Sequence, residues 1–326
     1  MLSLYHNEIP AFLEPFLRTA EMERLKYVGM NCGCEYTSFP LFKNLPPYSR
    51  FDHSLGTALI VWHFTQSREQ ALAALFHDIA TPVFAHCIDF MRGDYLKQES
   101  TEDRTSAIIG ESRKLTDLLR RLGISVGRVK DYHLYPIADN ASPRLSADRL
   151  EYTLGNLLGY AFCSFAELQR FYGALRVESA EDGKPELTFT EISAALGFAR
   201  MALRCSKVYV SGEDRYAMQM IAELMREAAG LGLLTEKDLY RTEPEVIALI
   251  ERSAAPAERW QRIRALHRLV RAPEAPPELR RVVRAKKRYI DPLTAGLGRL
   301  SAVSAEFRAE LNEFLESPHD EELCAV

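Results

Sequence analysis

Arg50-Phe51-Asp52-His53-Ser54-Leu55-Gly56-Thr57 opens an apolar stretch that runs to His77-Asp78-Ile79-Ala80-Thr81-Pro82-Val83-Phe84-Ala85-His86 and closes at Asp89. Ser49 or Asp52 can cap a helix carrying His53 in its first turn. Ser67 and Gln70 have the spacing of a second cap, for a helix that reaches His77-Asp78. Pro82 disfavours a helical Thr81, so the chain is expected to turn just after that pair. Imidazole and carboxylate groups gathered at the ends of neighbouring helices suit a divalent transition metal with mixed nitrogen and oxygen ligands. Such an ion makes water acidic near neutral pH and neutralises charge on a phosphoryl oxygen.

Outward from this stretch the chain reads as mostly helical. Residues 14–27 and 105–122 each show the spacing of one amphipathic helix, with 31–47 irregular between Gly33, Pro40, Pro46 and Pro47. Residues 126–142 read as a short helix and loop. Ser146 can cap a helix over 147–158 that presents Asp148, Arg149 and Tyr152. Asp182-Gly183 between short alternating segments predicts one β-hairpin over 175–190. Helices resume from 191, through 201–209, 215–230 and 243–252. A junction over 254–277 then divides residues 1–253 from a smaller helical extension, 254–326.

Composition narrows the class. Apolar content of 47% with 26% charged residues is that of an ordinary globular protein. A net charge of −4 supplies no overall basicity, so nucleic acid is not an expected partner. Six irregularly spaced cysteines are too few for a disulfide scaffold and indicate reduced thiols in the cytoplasm. Cys32 and Cys34, without further thiols or imidazoles at zinc spacing, read as packing residues. The first twenty residues lack a basic leader, and no apolar run approaches the roughly 20 residues of a membrane span. The run 280–288 holds six basic residues in nine. It reads as a solvated helix with Val282 and Val283 inside, or as a surface that steers anionic substrates.

A single His-Asp pair is a weak signal; its combination with His53 and a distant Asp148 is stronger. The flanks add a resemblance. Arg50 to Thr57 resembles the R-F-x-H-S-L-G block of HD-domain phosphohydrolases, and His77 to His86 resembles their H-D-[IL]-G-x-x-P-F-[SA]-H block. Ser146-Ala147-Asp148-Arg149-Leu150-Glu151-Tyr152 is similar to their D-x-D-[RK]-x-[DE]-Y block. The branch it is nearest to is that of the deoxynucleoside triphosphate triphosphohydrolases, over about residues 20–250.

The resemblance implies an all-α HD-type fold with His53, His77, Asp78 and Asp148 as ligands of a divalent ion: Mn, Fe, Zn, Ni, Co or Mg. It implies phosphate contact by Arg50 and Arg149, with Tyr152 near the substrate, a nucleotide or other phosphorylated small molecule. His86 and Asp89 match an active-site histidine and its carboxylate partner. Thr81 stands where relatives acting on triphosphates carry a histidine, and Glu102-Asp103 where they carry a His-Glu pair. Glu102 is therefore a candidate general acid or base. His63 and His133 fall outside the matching blocks and read as structural. The expectation is a metal-dependent phosphohydrolase, with a homo-oligomer allowed; the alternative is a regulatory protein that binds nucleotide without turnover.

Overall fold

Ser49 leads the chain into its central helix, Arg50–Thr65. The Ser49 hydroxyl accepts from the Asp52 amide, and the Asp52 carboxylate accepts from the Ser49 amide at 3.0 Å. This capping box fixes His53 one turn inside the helix. The computed structural model describes residues 1–93, 104–271, 280–283, 286–319 and 322–325. Residues 53–61 are all buried, so the helix is an internal axis rather than an amphipathic surface element.

Two further helices pack on this axis: Arg68–Phe76, capped by Ser67, and Ala147–Gly159, capped by Ser146. Gly56 lets the second of these approach closely. A Cβ there would lie 2.5 Å from Glu151 Oε1 and 2.7 Å from its Cγ. The helix Arg68–Phe76 ends just before the His77-Asp78 pair it is expected to reach, and the pair itself stands in the turn that follows.

Two expected helices are broken. Residues 14–27 form Glu14–Leu17 and Ala20–Arg24, because Thr19 is extended and its hydroxyl donates to the Phe16 carbonyl at 2.7 Å. Residues 105–122 form Thr105–Glu111 and Arg113–Arg121, split at an extended Ser112 whose hydroxyl caps the second helix. In both places a hydroxyl offers the backbone a local partner that competes with continued helix.

The hairpin lies where it is expected: Leu175–Ser179 pairs antiparallel with Pro185–Phe189 around Gly183. It is not the whole of the β-structure. Leu293–Thr294 joins it in parallel, and Gly298–Arg299 completes a four-stranded sheet. A second pair joins Leu269–Arg271 to Leu323–Ala325. The fold is therefore mostly helical with a small sheet to which the late chain contributes, rather than all-α with one hairpin. The described part of the basic run is not helical, and Arg281 bridges to Leu323.

Residues beyond 254 also enter both apolar clusters. Ile290, Leu300, Phe307 and Phe314 join the cluster around the central helix, and Trp260, Ile263 and Val283 join one built on Phe39, Phe84 and Ile221. Tyr160 and Tyr209 pack against both clusters. Among the described residues, no helix is long and apolar enough to cross a membrane.

Candidate metal centre

His53, His77 and Asp148, from three separate elements, bring one ligand atom each within 4.8 Å of one another. His53 Nε2 lies 3.0 Å from His77 Nε2 and 3.0 Å from Asp148 Oδ1. Asp78 Oδ2 completes the group at 3.9 Å from His53 Nε2 and 3.6 Å from His77 Nε2. The four side chains separated along the chain thus converge on one point.

The hydrogen bonds around the imidazoles show what that point is built to hold. His77 Nδ1 donates to the Ala74 carbonyl at 2.7 Å, and His53 Nδ1 donates to the Glu151 carboxylate at 2.6 Å. Each ring therefore turns its Nε2 lone pair inward. Two such lone pairs 3.0 Å apart, beside two carboxylates, require a cation between them. Burial alone lowers the pKa of His53, but its hydrogen bonds with Asp148 and Glu151 outweigh this and raise it to about 10. Burial opposes ionisation of Asp148, yet His53 and His77 bring its carboxyl down to about 2. Asp78 is likewise held well below the usual carboxylate range: Arg50, His77 and His53 overcome the penalty of burial. Two imidazoles and two ionised carboxylates fit a divalent metal cofactor.

Glu151, one turn beyond Asp148 on the helix Ala147–Gly159, stands behind the imidazole of His53. It is buried, and besides His53 it accepts from Tyr48 and, at 3.3 Å, from Tyr5. This is the carboxylate–histidine arrangement that orients a metal-binding ring. Glu151→Gln is expected to lower metal affinity by about 10- to 100-fold while leaving the four donors intact. Titration with a competing chelator measures it, and an unchanged affinity would mean that Glu151 only packs.

Arg50 donates from one terminal nitrogen to Asp78 at 2.9 Å, and its buried Nε has no hydrogen-bond partner. Arg24 braces the same turn by donating to the carbonyls of Ile79 and Thr81. Thr81 is buried and donates to Asp78 at 2.6 Å, so its hydroxyl orients a carboxylate of the site. Arg149 pairs with Asp139 at 3.1 Å and donates to Asn140 and to the Arg144 carbonyl.

His86 follows two left-handed residues, Phe84 and Ala85, at φ 56° and 44°. Such backbone costs energy in non-glycine residues and needs outside support. Here the Val83 amide donates to the Leu239 carbonyl and the Phe84 amide to Glu243. His86 Nδ1 bonds the fully buried Asp89 at 2.9 Å, and its Nε2 faces Arg288 at 3.5 Å. Burial, reinforced by Arg288 and Arg50, lowers the His86 pKa against the pull of Asp89.

These groups line one open cavity of about 360 Å³ that holds the donor cluster and is shared by His86, Arg50, Arg149 and Tyr152. That volume lies within the range of small-molecule sites. Its lining extends beyond the three matching blocks. His133, read above as structural, lines it, with Nδ1 3.0 Å from Asp131 and Nε2 3.4 Å from Asp139. Tyr160, Tyr209, Asn31 and Asn156 line it too, and so do Lys286 and Arg288 of the basic run. Glu102 lies outside the described residues.

A buried centre of two imidazoles and two carboxylates, open to a cavity with basic walls, belongs to the class of hydrolytic metal sites. No family profile matches the chain. It is similar to the metal-dependent phosphohydrolase cns2 of Cordyceps militaris, with 26% identity over 272 residues, 82% of this chain and 75% of that protein. It is also similar to the uncharacterised protein YdhJ of Bacillus subtilis, with 21% identity over 248 residues, 76% of this chain and 73% of that one. Among solved structures, a phosphohydrolase of Bacteroides thetaiotaomicron superposes with a TM-score of 0.67 at 13% identity, covering 98% of this chain and 96% of its own. A hypothetical protein of Aquifex aeolicus superposes at 0.64 and 16% identity, covering 97% and 92%. At such identities the superpositions establish a shared fold.

Proposed function

We propose that this chain is a metal-dependent phosphohydrolase acting on a nucleotide or a related phosphoester or phosphoanhydride. The observation that carries the reading is the convergence of His53, His77, Asp78 and Asp148 on the floor of a cavity with basic walls. The likeness to a protein named as a metal-dependent phosphohydrolase supports it independently. His53, His77, Asp78 and Asp148 would hold a divalent ion, which supplies Lewis acidity toward the phosphoryl group and a water nucleophile at neutral pH.

The chain's own residues do the rest. Arg50 keeps Asp78 ionised and aimed at the donor cluster, and Arg149 lines the anion's approach. His86, neutral at pH 7 and oriented by Asp89, accepts a proton from the nucleophile and returns it to the leaving oxygen. Tyr152, Tyr160 and Tyr209 give the cavity aromatic faces, and Asn31 and Asn156 give it amides. Those are groups that stack on and hydrogen-bond a nucleobase, which supports the nucleotide reading over a simple phosphoester.

Thr81 favours the regulatory alternative, because its hydroxyl is committed to Asp78 and handles no proton. Elemental analysis of purified protein, coupled to hydrolysis of nucleoside mono-, di- and triphosphates and simple phosphoesters, decides between the two. Bound transition metal with release of orthophosphate, pyrophosphate or triphosphate is expected. Tight nucleotide binding without product across the six candidate metals would replace the enzyme with a sensor.

A further inference from the structure

We propose that Glu243 is a positioning residue for His86, acting through the strained turn Phe84-Ala85 that leads into it. Glu243 does not line the cavity. It opens the helix Glu243–Ile250 and is buried, with 2% of its surface exposed. The proton transfer assigned to His86 rests on the phosphohydrolase reading above; the contacts that place its ring do not.

Three donors from two segments far apart in the chain meet on this one carboxylate. Oε1 accepts from the Gly29 amide at 3.0 Å and from the Phe84 amide at 3.2 Å, and Oε2 accepts from the Tyr36 hydroxyl at 2.9 Å. Phe84 begins the left-handed pair whose backbone needs outside support. Gly29 bridges to Ser49, the cap of the helix that carries His53. Glu243 thus ties the turn before His86 to the start of the central helix.

The residues just before Glu243 grip the same turn. The Leu239 carbonyl accepts from the Val83 amide at 2.8 Å. The Arg241 carbonyl accepts from Arg24, which also donates to the carbonyls of Ile79 and Thr81. The Phe84 ring is held as well. Tyr36 lies edge-on to it at 6.1 Å, Trp260 packs at 6.0 Å, and a Cβ on Gly33 would come within 2.9 Å of it. With backbone and ring both fixed, the turn delivers His86 with Nδ1 on Asp89 and Nε2 on the cavity side, toward Arg288.

Packing alone does not account for a carboxylate here. Among the described residues Glu243 makes no ion pair, and burial raises its pKa against the bonds from Gly29, Tyr36 and Phe84. Its ionisable neighbour Glu35 is another carboxyl, pushed up to about 8 by burial and by Glu243 itself. An apolar side chain would avoid these penalties but could accept neither amide. The turn therefore requires an acceptor at this point, not a charge.

The test uses the metal-loaded full chain. Glu243→Gln keeps an acceptor for both amides, whereas Glu243→Met keeps the volume and removes it. Glu243→Met should lower kcat by about 10- to 100-fold with KM and metal content unchanged, while Glu243→Gln stays within about threefold of wild type. Added to His86→Ala, Glu243→Met should change kcat by less than about twofold, because the group it places is gone. Glu243→Asp draws the acceptor back by one methylene and carries the same test if Glu243→Met does not fold. Equal losses with and without His86, or a Glu243→Gln that falls as far as Glu243→Met, would overturn the proposal. The NMR signals of the His86 ring read its placement without turnover, and they should move in Glu243→Met and stay in Glu243→Gln. Such shifts in a protein that hydrolyses nothing would uphold the placement and remove the hydrolase reading. Signals unmoved in Glu243→Met would refute the placement whatever the turnover.

Discussion

Asp78→Ala is expected to abolish metal content and hydrolysis together, with turnover falling by at least about a thousandfold. Asp78 is the residue on which two systems depend. Its carboxylate lies within 3.9 Å of both inward-facing imidazole nitrogens, and it is also the partner of a buried guanidinium. Alanine at this position removes a metal donor and leaves Arg50 uncompensated, a change that costs about 3–5 kcal/mol in buried pairs. Asp78→Asn separates the effects, since it keeps the shape and the bond from Thr81 while losing the charge. Elemental analysis and thermal unfolding of both variants read the two consequences separately. Full metal occupancy and undiminished hydrolysis in Asp78→Asn would remove this carboxylate from the site.

His86→Ala should leave metal content intact and lower kcat by about 10²- to 10⁴-fold, the span of a lost general acid–base. The pH profile supplies a second readout with a definite sign. Burial and the charges of Arg288 and Arg50 hold the His86 pKa below its ordinary value. The ring therefore stays neutral, and able to accept a proton, until the pH falls below about 6.5. The acidic limb of kcat/KM should lie below that pH and disappear in His86→Ala. Arg288→Ala removes a charge that lowers this pKa, so the limb should move to higher pH. Asp89→Asn removes an interaction that raises it, so the limb should move lower. Shifts in the opposite directions would show that another group sets the limb.

The donor set was legible because each member sits beside a local signal. Ser49 with Asp52, Ser67, Pro82 and Ser146 mark helix ends, and His53, the His77-Asp78 pair and Asp148 stand within a residue or a turn of them. The partners of those donors were not legible, since Glu151 meets His53 only because Gly56 allows two helices to close on each other. His133 lies outside the matching blocks, yet the turn Tyr132–Leu134 carries it to the cavity beside Tyr132, whose ring lies 5.0 Å from that of His77.

Periodicity failed where hydroxyls intervene, at Thr19 and Ser112, and where strands are too short to alternate. Leu293–Thr294 and Gly298–Arg299 have two residues each, and the first pairs with the hairpin edge and the second with the first. The basic run misled for a related reason. Val282 and Val283 suggest a helix face, whereas Val283 is buried, Val282 is exposed, and the described residues of the run form no helix.

The order in which the cavity is assembled follows from where its parts lie in the chain. All four donors, together with Glu151, are translated before the hairpin, and the wall bearing Lys286 and Arg288 emerges near the end of synthesis. Chains fold from the N-terminal side as they leave the ribosome. The lining of the cavity around the donor cluster is therefore complete only once residues near position 288 have been made.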